Sequence, residues 1–145
     1  MRGFASRILG AVMLATPLAG VADDEGDIKY RQAVMKGISG HAGAIAQIAK
    51  GKVSHTGALK GHAHALLELS KMVPAAFKNQ TTGKSRAKGG VWSDWSGFDG
   101  NAGKLETAAL SVAEAAKSGP DAVAKTLEAL FDTCKGCHKE YREKE

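Results

Sequence analysis

Five consecutive residues near the C-terminus carry the chemistry of this chain: Cys134-Lys135-Gly136-Cys137-His138. C-x-x-C-H is the spacing at which two thiols add across the vinyl groups of a haem while the adjacent imidazole meets the iron. On a helix, positions i, i+3 and i+4 share one side, so both sulfurs and the ring can reach one planar macrocycle. The pattern implies one covalently bound haem c per chain, attached at Cys134 and Cys137, with His138 as an axial ligand. Rival readings fit less well. A structural zinc site needs four ligands, usually two C-x-x-C pairs or one pair with two spaced histidines. Cys134 and Cys137 are the only cysteines, and His41, His55, His62 and His64 lie upstream without the short H-x-x-x-H spacing. A thioredoxin-like dithiol sits near a βαβ pattern at a helix N-terminus, whereas this motif falls in the last turns of a helical segment. A disulfide between helical residues three apart is geometrically poor.

Four amphipathic segments must position that motif. The first, from about Asp27 to Lys50, places Ile28, Arg31, Met35, Ile38, Ala42, Ile45 and Ile48 at three- and four-residue steps and ends at Gly51. The second starts near Ser54 or Thr56 and runs through Leu59, His62, Ala63, Leu66, Leu69 and Val73 to Phe77, with Pro74 kinking its last turn. A polar stretch from Lys78 to Gly90 is the one long loop. After Val91-Trp92-Ser93-Asp94-Trp95, a third helix runs from Gly97 or Phe98 to Lys117 with Leu105, Ala109, Val112 and Ala116 as its stripe. Pro120 and Asp121 suit the first turn of the fourth, which carries Val123, Leu127, Leu130, Phe131, Cys134, Cys137 and Tyr141 on one side. No segment alternates long enough to be a strand. The expectation is an all-α chain folded as an antiparallel four-helix bundle, with small stripe residues leaving room for a large cofactor.

The N-terminus bears on the compartment. Arg2 and Arg7 form a basic n-region, Ile8 to Leu18 a short apolar run, and Gly20-Val21-Ala22 a small-residue cleavage site. Residues 1–22 read as a secretory signal peptide and 23–145 as one mature domain. The competing reading is an N-terminal anchor, but Pro17 and Gly20 interrupt the run. Haem attachment outside the cytoplasmic membrane of bacteria agrees with export to the periplasm. The formal charge of +5 falls to about +3 once Arg2 and Arg7 are removed, with Lys and Glu scattered as on a solvated surface. No basic stripe with interleaved aromatics is present, which argues against nucleic acid.

Beyond the haem motif, Tyr30-Arg31-Gln32 with Met35, Trp92-Ser93, and Tyr141-Arg142 after His138 are companion segments. With them, essentially the whole mature chain, from Asp27 to Arg142, resembles the cytochromes c prime. That resemblance implies a four-helix bundle, often a homodimer, whose iron is five-coordinate and high-spin with only the C-x-x-C-H histidine bound. An apolar side chain from the first helix closes the distal face and maps to Met35. Nitric oxide and carbon monoxide enter if it yields, whereas an apolar pocket disfavours charged ligands and gives oxygen no hydrogen-bond donor. The implied roles are nitric oxide binding and protection, or electron transfer with a redox partner that the sequence does not identify.

Met35 separates two functions. As a pocket wall it leaves the iron open to gas; as a thioether ligand it makes a low-spin His/Met electron carrier. The Tyr30-Arg31-Gln32 context favours the open form. Arg31 reads either as a partner of a haem propionate or as a solvated surface arginine. Gln32 belongs to the same haem-facing segment. Trp92 and Trp95 cover the bundle or haem edge, and Tyr141 and Phe131 pack on the core or the haem. Arg142, four residues after His138, either lies beside the proximal imidazole or frays with the C-terminus. His62 and His64 are two apart and do not face one metal together; His41 reads as a surface or core histidine. No Ser/His/Asp set, paired carboxylates or distal acid–base pair marks a catalytic centre, so the chain is not expected to be an enzyme.

Overall fold

The structure, a computed structural model, describes residues 24–144. The signal-peptide reading therefore falls outside the described residues. No described helix is long and apolar enough to cross a membrane.

Helix α1, Asp24–Ala49, begins with Asp24, Glu25 and Asp27 in its first turn, where carboxylates offset the positive end of the helix dipole. Its buried stripe is Ile28, Arg31, Val34, Ile38, Ala42, Ile45, Ala46 and Ile48. It starts three residues earlier than the apolar periodicity predicts, because this first turn is acidic and exposed. Its end is as expected. Gly51 takes φ +63°, and the Gly51 and Lys52 amides donate to Ile48 O at 3.0 Å and Gln47 O at 2.9 Å, satisfying carbonyls the helix leaves unpaired.

The second segment is not one helix. A 3-10 turn at Thr56–Ala58 leads into α2, Leu59–Lys71, which stops at Met72 before the short α3, Val73–Phe77. Pro74 opens α3 because it has no amide proton to donate and its ring clashes with a preceding helical carbonyl. After the loop, α4 covers Gly90–Ser93 and α5 covers Trp95–Ala115, N-capped by Asp94, whose Oδ1 accepts from the Gly97 amide at 3.2 Å. The third helix thus begins two residues before Gly97, at the cap. Gly119, φ +101°, turns the chain into α6, Pro120–Ala124, and α7 follows at Leu127–Tyr141. The expected single fourth helix is divided at Thr126, whose amide and hydroxyl both donate to Val123 O, at 2.9 and 2.8 Å.

The four arms α1, α2–α3, α5 and α6–α7 make the bundle. Helix α1 packs on α2, α3 and α6, while α2 packs on α5 and α5 on α7. Ile45, Leu59, Leu66, Val112, Val123 and Leu130 lie at its centre with almost no solvent exposure. At one end aromatic side chains replace aliphatic ones. Phe77–Phe98 ring centroids are 5.1 Å apart, Trp95–Phe98 5.6 Å and Phe98–Tyr141 5.4 Å, the last edge-on. That aromatic end floors the cavity described next.

Candidate haem-binding site

A cavity of about 420 Å³ opens between α1 and α7. From α1 it is lined by Ile28, Arg31, Gln32 and Met35, and from α7 by Cys137, His138 and Tyr141, with Arg142 just beyond. Phe77, Val91 and Phe98 close its floor. The volume lies in the range of small-molecule pockets, and the lining is mainly apolar with a few polar groups, as such sites require.

Both thiols are free and half-buried on α7. Cys137 lines the cavity; Cys134, one turn earlier, does not line it directly. Burial pushes both thiols up from their ordinary pKa, and at Cys137 the neighbouring Cys134 adds to the effect. His138 stands at the cavity rim. Packing on its inner side, then the charge of Arg142, then that of Arg86, hold its imidazole below the usual histidine pKa. Each of these effects favours the neutral ring, the form that can ligate a metal. Arg142 Nη1 lies 3.5 Å from His138 Nδ1, so the arginine sits beside the imidazole.

Arg31 lines the cavity but is not the solvated surface arginine that its sequence position also allows. It is 3% exposed, and its guanidinium donates to Ala76 O at 2.9 Å, to Thr81 Oγ1 at 3.0 Å and to Asn79 O. The same group lies 5.4 Å from the Phe77 ring centroid and 5.3 Å from that of Trp92. Its planar fork is spent on tying the α3 end and the following loop to α1. Trp92 stands behind Arg31 rather than against the cavity, and its Nε1 donates to Phe77 O at 2.8 Å. Tyr141 is buried, and its hydroxyl donates to Asp94 Oδ2 at 2.8 Å. That bond first, then burial, then the charge of Asp94 push its pKa up to about 12.

Residues that the sequence did not single out complete the rim. Ser85, Arg86 and Ala87 come from the long loop and line the cavity. That loop is pinned at both ends. Asp24 Oδ2 accepts from the Thr82 amide at 2.8 Å, while the Lys88 amide donates to Tyr141 O at 2.9 Å and the Glu143 amide to Arg86 O at 2.8 Å. Ala87 and Arg142 form an isolated antiparallel bridge. Only the glycines and polar residues of the stretch were legible in the sequence. Its partners lie 58 residues before it and 51 residues after it in sequence.

The Cytochrome C' family profile matches residues 27–142 of this chain. The chain belongs to the cytochrome c prime family. The cytochrome c' of Rhodospirillum rubrum is 34% identical over 135 residues, covering 91% of this chain and 92% of that protein. The cytochrome c' of Pararhodospirillum photometricum is 38% identical, covering 84% of this chain and all of the relative. A nitric oxide complex of a variant of cytochrome c prime from Alcaligenes xylosoxidans superposes with a TM-score of 0.78 at 27% identity, covering 87% of this chain and 100% of that one. For this chain the cytochrome c prime assignment implies a c-type haem. The donor set fits one: two free thiols one turn apart, an imidazole next to the second, and a mainly apolar cavity beside them.

Proposed function

We propose that this chain is a periplasmic haem c protein that binds nitric oxide and carbon monoxide at a five-coordinate iron, with electron transfer to a redox partner as its other role. Cys134 and Cys137 would hold the group covalently and His138 would supply the axial nitrogen. When bound, the haem supplies an iron that takes a small neutral gas as ligand and changes charge by one electron. One observation carries the reading: Met35 on α1 faces into the same cavity as Cys137 and His138 on α7.

Met35 is half-buried and packed against the core on a rigid helix. Its flexible thioether stem can swing aside without moving α1, which makes it a gate rather than a fixed wall. Ile28, Phe77, Val91 and Phe98 form an apolar floor that gives an entering molecule no hydrogen bond and disfavours an ion there on desolvation grounds. Arg142 stays beside the His138 ring and disfavours its protonation. Residues 1–22 as a cleaved signal, and homodimerisation, complete the proposal.

The test is the carbon monoxide affinity of the ferrous protein. Met35→Ala should raise it by about tenfold, equivalent to about 1.4 kcal/mol. A wild type that refuses the gas until Met35 is removed, and is low-spin beforehand, would make Met35 an iron ligand and the protein an electron carrier. Mass measurement of the holoprotein should show one haem per chain, with attachment reduced in Cys134→Ser and Cys137→Ser.

A further inference from the structure

Away from the cavity, two imidazoles meet across the α1–α2 interface. His41 Nδ1 and His62 Nδ1 are 2.9 Å apart, with ring centroids 5.1 Å apart and planes inclined at 55°. Both side chains are only half-buried. The helices approach closely here because small residues line the contact. Ala42 and Ala63 are buried beside the pair, and a Cβ on Gly37 would lie only 2.9 Å from Leu69 Cδ1. Neither imidazole belongs to the buried core, and among the described residues each Nδ1 has the other as its hydrogen-bond partner.

We propose that His41 and His62 form a surface binding site for a divalent late transition-metal ion, Cu²⁺ foremost. The separation of the nitrogens suits such an ion. With metal–nitrogen bonds of about 2.0–2.1 Å, two nitrogens 2.9 Å apart subtend about 90° at the ion. That is the angle between neighbouring ligands in the square-planar or tetragonal sites of Cu²⁺ and Ni²⁺. A tetrahedral Zn²⁺ would need the nitrogens about 0.4 Å further apart. The order of intrinsic affinities also puts Cu²⁺ first.

Binding exchanges one contact for two. In the neutral pair, one Nδ1–H donates to the other Nδ1. Metal entry breaks that bond, the donating ring loses its Nδ1 proton and gains one from solvent at Nε2, and each Nδ1 then gives its lone pair to the ion. Two water ligands leave the ion and no net proton is released. Among the described residues no three His, Cys, Asp or Glu side chains gather into a metal cage, so water completes the shell. The ion remains accessible and exchangeable.

The test uses the mature holoprotein titrated with Cu²⁺ in a weakly coordinating buffer at neutral pH, followed by calorimetry and by the copper region of the electron paramagnetic resonance spectrum. The expected result is one Cu²⁺ per chain with hyperfine structure from two imidazole nitrogens. His41→Gln and His62→Gln should each weaken binding by about ten- to a hundredfold, on the scale set by lost support at metal sites. His55→Gln and His64→Gln should bind as the wild type does. Unchanged haem absorption in each variant confirms an intact fold. Copper binding that survives both His41→Gln and His62→Gln, or a wild type that takes up no copper, would overturn the proposal.

Discussion

Arg31 is the residue whose loss should reveal most about how the bundle is held. Its guanidinium makes three hydrogen bonds to the α3 end and the following loop and lies against two rings. Hydrogen bonds of this kind contribute about 1 kcal/mol each after exchange with water, and ring contacts in partly solvated places about 0.5 kcal/mol each. Arg31→Leu forfeits these and leaves the carbonyls of Ala76 and Asn79 to find water. Some compensation comes from the burial of leucine, leaving a loss of about 3 kcal/mol. For a domain of this size that lowers Tm by about 10–15 °C. Arg31→Lys keeps the charge but cannot span three acceptors, so it should recover less than half of the loss. Thermal unfolding followed by circular dichroism is the assay. A loss below about 1 kcal/mol would return Arg31 to the ordinary surface class. Unchanged stability with an altered haem absorption would assign it to the cofactor instead.

The Tyr141 hydroxyl has a folded pKa raised from 10.0 to about 12, so its stabilising effect is complete below pH 10 and is lost as the pH rises towards 12. Tyr141→Phe should flatten that alkaline loss, and tyrosinate absorbance in a Tyr30→Phe background should report the late titration. Gly97→Ala would place a Cβ 2.2 Å from Asp94 Oδ2 and 2.6 Å from the Tyr141 hydroxyl. It should cost about 1–3 kcal/mol in chemical denaturation and abolish the late tyrosine titration. Gly51→Ala, at φ +63°, should cost about 1 kcal/mol with no change in the haem spectrum.

The parts of this molecule that rest on local chemistry were legible in its sequence. Gly51 stops α1 because a left-handed residue suits the chain there, and Pro74 breaks the second arm because it lacks a donor. The C-x-x-C-H spacing places both thiols and the imidazole on α7 because helix geometry is fixed. What was not legible depends on contacts between distant segments. Arg31 reads as a propionate partner or a surface residue, and its bonds to the carbonyls of Ala76 and Asn79 appear only once the distant loop is brought to it. The stretch from Lys78 to Gly90 reads as a loop, but its role as a strap over the cavity needs Asp24 and Tyr141 at its two ends. Arg86 carries no periodic signal and reaches the rim only through that strap. The break at Thr126 escapes a periodicity argument because α6 and α7 keep their apolar faces in step across it. His41 and His62, 21 residues apart, meet only because α1 and α2 pack antiparallel in a close crossing.

The central claim is an open haem iron gated by Met35, and the visible spectrum of the mature holoprotein tests it most directly. The ferric and dithionite-reduced forms should be recorded before and after nitric oxide. A broad high-spin spectrum that changes promptly with the gas is the expected result. Sharp low-spin bands with a ferric thioether–iron charge-transfer absorption, resistant to nitric oxide, would contradict it and place Met35 on the iron.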